Sequence, residues 1–382
     1  MKNIGVICEY NPFHNGHAKQ LSFMKTQGAA ICLMSGNYVQ RGEPAILDKY
    51  TRAAAAVACG ADLVLELPLT YALRSAEGFA AGGVEILDKL GCVDALCFGS
   101  ESGREDELMQ TARLLLTEQF SVKLRSELAS GVSFPRARQN AVEDLGGSGE
   151  LLENPNDILA VEYCKAILQR ESRLVPLVIA REGSYLDSTD AENPSASVLR
   201  QTEQWELFVP AQALRVYESA VRAAAPCGER AWLARLRAMS EREFSLLPFS
   251  SEGLWRKLMH ACREQATLEE IIDATKSKRY TRTRLQRMLL CAFLGITKDL
   301  LEQEAPYVRA LALNETGQKL LKRARETGCV PILNAGERAP EGDYAELERR
   351  ASDLYGLFAD ADQPLPPNAE LSARAVPVKS KT

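Results

Sequence analysis

Asn3-Ile4-Gly5-Val6-Ile7-Cys8-Glu9-Tyr10-Asn11-Pro12-Phe13-His14-Asn15-Gly16-His17 joins a short apolar run to a polar turn and the start of an amphipathic stretch. The run 3–8 reads as a strand, and residues 16–26 as the helix that follows it. The unit recurs. Residues 29–34, 62–67 and 95–99 are three more strands of the same kind, separated by helical periods over 49–59 and 75–90. A long amphipathic helix over 105–128 then precedes a last strand at 174–179, and Asn156 opens a further helix behind a polar cap. Runs that are apolar throughout, alternating with helices, belong to parallel strands buried on both faces. Residues 1–200 therefore read as an α/β domain with a Rossmann-like parallel sheet.

Beyond residue 200 helical periodicity takes over, as in 231–239, 252–263, 267–275 and 284–294, so a second, mainly α-helical domain is expected over 201–362. The tail 363–382 has no apolar period and reads as flexible. Two domains suit 382 residues, each large enough to bury a core without disulfides. The ten cysteines are scattered without a CxxC pair, which favours buried thiols over a zinc site or a disulfide framework. The N-terminal apolar run is interrupted too early for a signal or membrane segment, so the cytoplasm is the expected compartment, with no membrane contact. A net charge of -5 gives no global attraction to nucleic acid, so any such binding needs a local patch.

The chemistry is concentrated where the first strand hands over to the first helix. A helix N-terminus presents unpaired N–H groups and partial positive charge, which suits a triphosphate. His14 and His17 can both face such an anion from the first turn, with Gly16 leaving room for close approach. Taken singly, such a histidine is as readily a structural cap. As a metal pair, the two lack an obvious third ligand.

Asn193-Pro194-Ser195-Ala196-Ser197-Val198-Leu199-Arg200 is a second phosphate candidate: Ser197 with its neighbouring N–H groups for β- and γ-phosphate oxygens, Arg200 for the departing pyrophosphate. The loop Ser35-Gly36-Asn37-Tyr38-Val39-Gln40-Arg41-Gly42-Glu43-Pro44 crowds polar groups at the same sheet edge. Lys49 and Arg52, one turn apart on the next helix, read as a solvated face or as an anion site.

In their joint order these segments resemble the bacterial tRNA(Met) cytidine acetate ligases, a family like the HxGH nucleotidyltransferases. Gly60-Ala61-Asp62-Leu63-Val64-Leu65-Glu66-Leu67-Pro68, Phe98-Gly99-Ser100-Glu101, Asn154-Pro155-Asn156-Asp157-Ile158-Leu159, Arg181 with Tyr185, and Thr275-Lys276-Ser277-Lys278-Arg279-Tyr280-Thr281 carry the likeness further. The resemblance implies a ligase that joins acetate to ATP, forms acetyl-adenylate, and passes the acetyl group to N4 of the wobble cytidine of elongator methionine tRNA. It implies ATP contacts from Ile7, Cys8, Glu9, Tyr10, Asn11, Pro12, Phe13, His14, Asn15, Gly16, His17, Ala18, Lys19 and Gln20, completed by Gly99, Asn156 and Arg181. His14, His17 and Arg200 are the expected catalytic groups, acting by electrostatic stabilisation, with Mg²⁺ accompanying the triphosphate and no dedicated protein cage for it.

Residues 276–287 hold six cations and no acid, a local reversal of sign in an acidic chain. Lys276, Lys278, Arg279, Arg282 and Arg284 are the expected tRNA contacts, with Tyr280 placed to stack on an unpaired base. A solvated helix start is the plainer reading of the same residues. Two rival functions remain at this level: an adenylyltransferase acting on a small phosphorylated metabolite, and a non-catalytic ATP- or RNA-binding protein.

Overall fold

The computed structural model describes residues 2–180, 199–200, 205–277, 279–360, 362, 365–367, 369–373 and 376–377. Strand β1 (Lys2–Cys8) runs into helix α1 (Asn15–Gln27), and β2 (Gly28–Ser35) returns parallel to β1, with Cys8 opposite Met34. A small hairpin of β3 (Tyr38–Val39) and β4 (Glu43–Pro44) precedes helix α2 (Lys49–Ala58). The remaining strands are β5 (Leu63–Leu67), β6 (Ala95–Ser100), β7 (Val175–Ala180), β8 (Val308–Leu313), β9 (Ile332–Leu333) and β10 (Val376–Pro377).

The main sheet has the order β10-β8-β5-β2-β1-β6-β7, with β9 beside β8. Strands β5, β2, β1, β6 and β7 are mutually parallel. The chain steps outward from β1 to β2 and β5, then crosses back to β6 on the other side of β1. That reversal opens a crevice at the carboxyl ends of β1 and β6, where doubly wound sheets bind ligands.

Both faces of the sheet are covered, which explains strands without polar alternation. Ile4, Val6, Cys8, Cys32 and Met34 pack beneath Leu21 and Met24 of α1. Their sequence neighbours Ile7, Ile31 and Leu33 turn to the other face, against Phe79, Val84 and Leu87 of helix Ala76–Lys89 and Ala160 of helix Pro155–Gln169. Each fully buried Leu or Ile of this kind contributes roughly 1.5–3 kcal/mol.

Several expectations need correction. The single helix over 105–128 is two, Glu105–Leu115 and Glu118–Ala129, because the Thr117 hydroxyl accepts the N–H of Phe120 and starts a new helix. The segment after residue 200 is helical with its own core, built around Trp232, Phe244, Leu258, Met288, Phe293 and Phe358. It is not separate from the sheet, however. Strand β8 pairs antiparallel with β5 and covers an otherwise bare apolar sheet edge.

Part of the tail is also tied down: Glu370 is buried and forms ion pairs with Lys49 and Arg309 at 2.6 and 2.7 Å. Seven cysteines are buried as expected, Cys59 is half-buried, and Cys227 and Cys329 are exposed. No helix among the described residues is long and apolar enough to cross a membrane.

Candidate active site

The N-terminus of α1 is closed by its own histidines. His14 is the N-cap, and its Nδ1 accepts the N–H of Gly16 at 3.0 Å. His17, one turn on, accepts the His14 N–H at its own Nδ1 at 3.3 Å. The reciprocal arrangement is a capping box in which imidazoles replace the usual hydroxyl and carboxylate. With each Nδ1 acting as acceptor, each ring carries its proton on Nε2 and can present a donor. The rings stack with centroids 3.8 Å apart, so the donors are held as a pair. The expected anion-facing histidines are thus also the cap of the helix.

Gly16 serves the rings directly. A Cβ at this position would lie 2.8 Å from Cε1 of His14, so a side chain there would displace the capping imidazole.

The loop before the helix is pinned from four sides. Arg52, wholly buried, donates to the carbonyls of Leu47 at 2.9 Å, Ser35 at 3.1 Å and Glu9 at 2.5 Å, and also to that of Gly36. Burial pulls its guanidinium below the ordinary range. Asn11 Oδ1 accepts the N–H of Ile46 at 2.8 Å, and the Phe13 N–H donates to the Tyr217 hydroxyl at 3.3 Å. Glu9 Oε1 accepts the N–H of Gln40 at 2.7 Å, tying the loop to the β3–β4 hairpin.

Within residues 7–20, Ile7, Cys8, Tyr10, Asn11, Pro12 and Phe13 are buried, so what they offer a ligand is mainly backbone. Asn15, His17, Ala18 and Gln20 are half-buried, and Gly16 and Lys19 are exposed.

Arg200 joins this loop from 189 residues away, its Nη1 donating to the Asn11 carbonyl at 2.9 Å. Its charge also acts on Glu9. Gly99 lies near the carboxyl end of β6, opposite Ile179. Asn156 is fixed beside it: its Nδ2 donates to Glu101 Oε1 at 2.6 Å, and Glu101 Oε2 accepts the Asp157 N–H at 2.7 Å. Asp157 is buried and holds Ser100 and Ser102 in turn. Ser195, Ser197, Arg181, Tyr185 and Lys278 lie outside the described residues.

The basic segment is less open than its composition suggests. Arg282 forms a two-pronged ion pair with Glu269. Arg284 donates to the Phe249 carbonyl at 2.7 Å and to Ser251 Oγ at 2.9 Å, and lies over the Tyr280 ring. Arg287 is buried against the Phe249 ring, and burial lowers its guanidinium to about 10. Lys276 and Arg279 remain exposed.

Lys49 is neither solvated nor an anion site, for its ammonium sits 2.6 Å from both Glu66 and Glu370. Arg52 and Glu101 are positioning residues that sequence reading did not single out as such. The polar crowding after β2 and the Phe-Gly-Ser-Glu run hinted at them, but apart from Leu47 their partners lie 16–56 residues away.

A doubly wound sheet with a histidine-capped helix at its switch point defines a nucleotidyl transferase of the HIGH type, and the HIGH Nucleotidyl Transferase family model matches residues 1–366. The tRNA(Met) cytidine acetate ligase of Clostridium acetobutylicum is 33% identical, covering 96% of this chain and 98% of that protein. That of Syntrophomonas wolfei is 36% identical, covering 94% and 95%. The crystal structure of Thermotoga maritima TmcAL bound with alpha-thio ATP superposes with a TM-score of 0.89 at 28% identity, over 100% of both chains. The chain belongs to the tRNA(Met) cytidine acetate ligase family.

Proposed function

We propose that this enzyme activates acetate with ATP as acetyl-adenylate and transfers the acetyl group to N4 of the wobble cytidine of elongator methionine tRNA. The observation that carries the ATP half is the stacked His14–His17 pair that caps the N-terminus of α1 at the carboxyl end of β1, with Arg200 on the same loop. Adenylation needs a positioned carboxylate nucleophile and charge stabilisation on the leaving pyrophosphate, with no covalent enzyme intermediate. His14, His17 and Arg200 supply that charge stabilisation. Gly99, Asn156, Arg181 and Ser197 complete the proposed nucleotide contacts.

The names of the relatives support the tRNA half, and exposed Lys276 and Arg279 supply a local phosphate-binding surface on the helical region. Lys278 is a further proposed phosphate contact, while Arg282 and Arg284 are held by their protein partners Glu269 and Phe249. The helical segment 201–362 thus carries the RNA, and residues 1–200 carry most of the chemistry. Such substrates place the enzyme in the cytoplasm.

Mg²⁺ would come with the triphosphate and neutralise its charge, without needing a dedicated cage of protein ligands. The carboxylates Glu66, Glu348 and Glu370 converge on one point among the described residues, but the Lys49 ammonium already lies between Glu66 and Glu370, so they do not fit a metal cage. The deciding experiment supplies ATP, labelled acetate and bulk tRNA, then analyses nucleosides for N4-acetylcytidine. Acetate-dependent ATP–pyrophosphate exchange without labelled RNA would leave acetate activation without its tRNA acceptor, and exchange that does not depend on acetate would favour an adenylyltransferase acting on a small phosphorylated metabolite.

A further inference from the structure

Transfer of the acetyl group requires something that neither histidine supplies. The attacking exocyclic amine of cytidine must lose a proton, yet both Nδ1 atoms are engaged by main-chain N–H groups and the outward nitrogens carry protons. Glu9 is the one acidic residue among the first twenty, and it stands directly after β1 at the mouth of the crevice. One of its oxygens is fixed by the Gln40 N–H at 2.7 Å. The cations of Arg200, of Arg41 on the hairpin and of Arg52 on α2 act on it from three elements.

A second observation marks the same place. Tyr163, on helix Pro155–Gln169, is 3% exposed, its hydroxyl has no hydrogen-bond partner, and it lies within electrostatic reach of Cys8 and Glu9. Buried hydroxyls are nearly always paired, so an orphaned one this close in charge to the residues that end β1 marks a position for a ligand oxygen.

We infer that the Glu9 carboxylate is the base for the acetyl-transfer step and that the Tyr163 hydroxyl donates to the acetyl carbonyl oxygen. The inference rests on the tRNA-acetylating reading above. In the step, the N4 lone pair forms the new bond to the acetyl carbon, and the bond from that carbon to the AMP oxygen breaks. AMP departs with the electron pair, and the N4 proton passes to Glu9. Burial raises the Glu9 carboxyl above its ordinary range, opposed by the Gln40 N–H and by Arg200, Arg41 and Arg52. A carboxyl so raised makes a stronger base. Burial also raises the Tyr163 phenol well above its ordinary value, which keeps it a neutral donor.

The test is single-turnover transfer from synthetic acetyl-adenylate to unmodified tRNA, followed against pH for the full chain, Glu9→Gln and Tyr163→Phe. The amide still accepts from Gln40, so thermal melting of Glu9→Gln should match the unaltered chain. The unaltered chain should show a rate that climbs with pH to a plateau. Glu9→Gln should be roughly 100-fold slower with the climb abolished, while acetate-dependent exchange falls far less. Tyr163→Phe should lose about tenfold and keep the shape of the profile. A Glu9→Gln profile that still climbs, or equal losses in exchange and transfer, overturns the inference. If the unaltered chain transfers no acetyl group, the reading beneath the inference fails instead.

Discussion

The histidine loop and the basic helix are both stretches of a dozen or so residues that announce a ligand, yet the fold treats them differently. In the loop, on the proposed reading, the polar atoms that satisfy the structure and those that meet ATP are different atoms of the same rings. Nδ1 closes the helix, and Nε2 carries the donor. In the basic segment, whole side chains are committed to protein partners: Arg282 to Glu269 at the surface, Arg284 to the Phe249 carbonyl, and Arg287 to the Phe249 ring. A motif keeps its functional meaning when its structural partners are local. A charge count loses meaning when its partners come from elsewhere in the chain.

The comparison breaks most easily at His17. His17→Ala removes one donor of the stacked pair, and acetate-dependent ATP–pyrophosphate exchange should fall roughly 100-fold or more. Unchanged exchange would sink the electrostatic role. Gly42→Ala comes next. Gly42 has a φ of +84°, and a Cβ there would lie 2.4 Å from the Arg287 nitrogen, so the hairpin that reaches from Glu9 to the basic helix would have to move. A loss of about 2–3 kcal/mol in urea unfolding is expected, from backbone strain and overpacking together.

The exposed cations give the third test. Lys276→Glu with Arg279→Glu should weaken tRNA binding about tenfold and flatten its salt dependence by about two log units per log unit of salt, leaving exchange without RNA intact. No change in the salt slope would remove RNA from this surface. The smallest effect belongs to Arg282→Ala. Its charge is already matched by Glu269, so stability should shift by roughly 0.5 kcal/mol and tRNA affinity by less than about threefold. A tenfold loss of affinity there would mean the ion pair opens to bind phosphate.

Much of the fold was legible because its signals are periodic and short-range. Every strand of the parallel sheet from β1 to β7 shows as an apolar run, and His14, Gly16 and His17 lie within one helical turn of one another. Lys49 and Arg52 were misread for the converse reason. Their spacing on α2 is that of a solvated face, while Glu66, Glu370 and the loop carbonyls that neutralise or solvate them come from distant segments. The same holds for β8. Its apolar run lies inside helical territory, and nothing nearby in sequence shows that it completes the sheet beside β5.

The sequence by itself determined the β1–loop–α1 unit, the parallel sheet and the paired imidazoles, since helix capping and strand burial depend on neighbours a few residues apart. Tertiary structure alone decided that Arg200 reaches the Asn11 carbonyl, that Tyr163 is buried within electrostatic reach of Glu9, and which cations of 276–287 stay at the surface. Each of those outcomes depends on a partner brought from far along the chain. Local patterns carry no record of such partners.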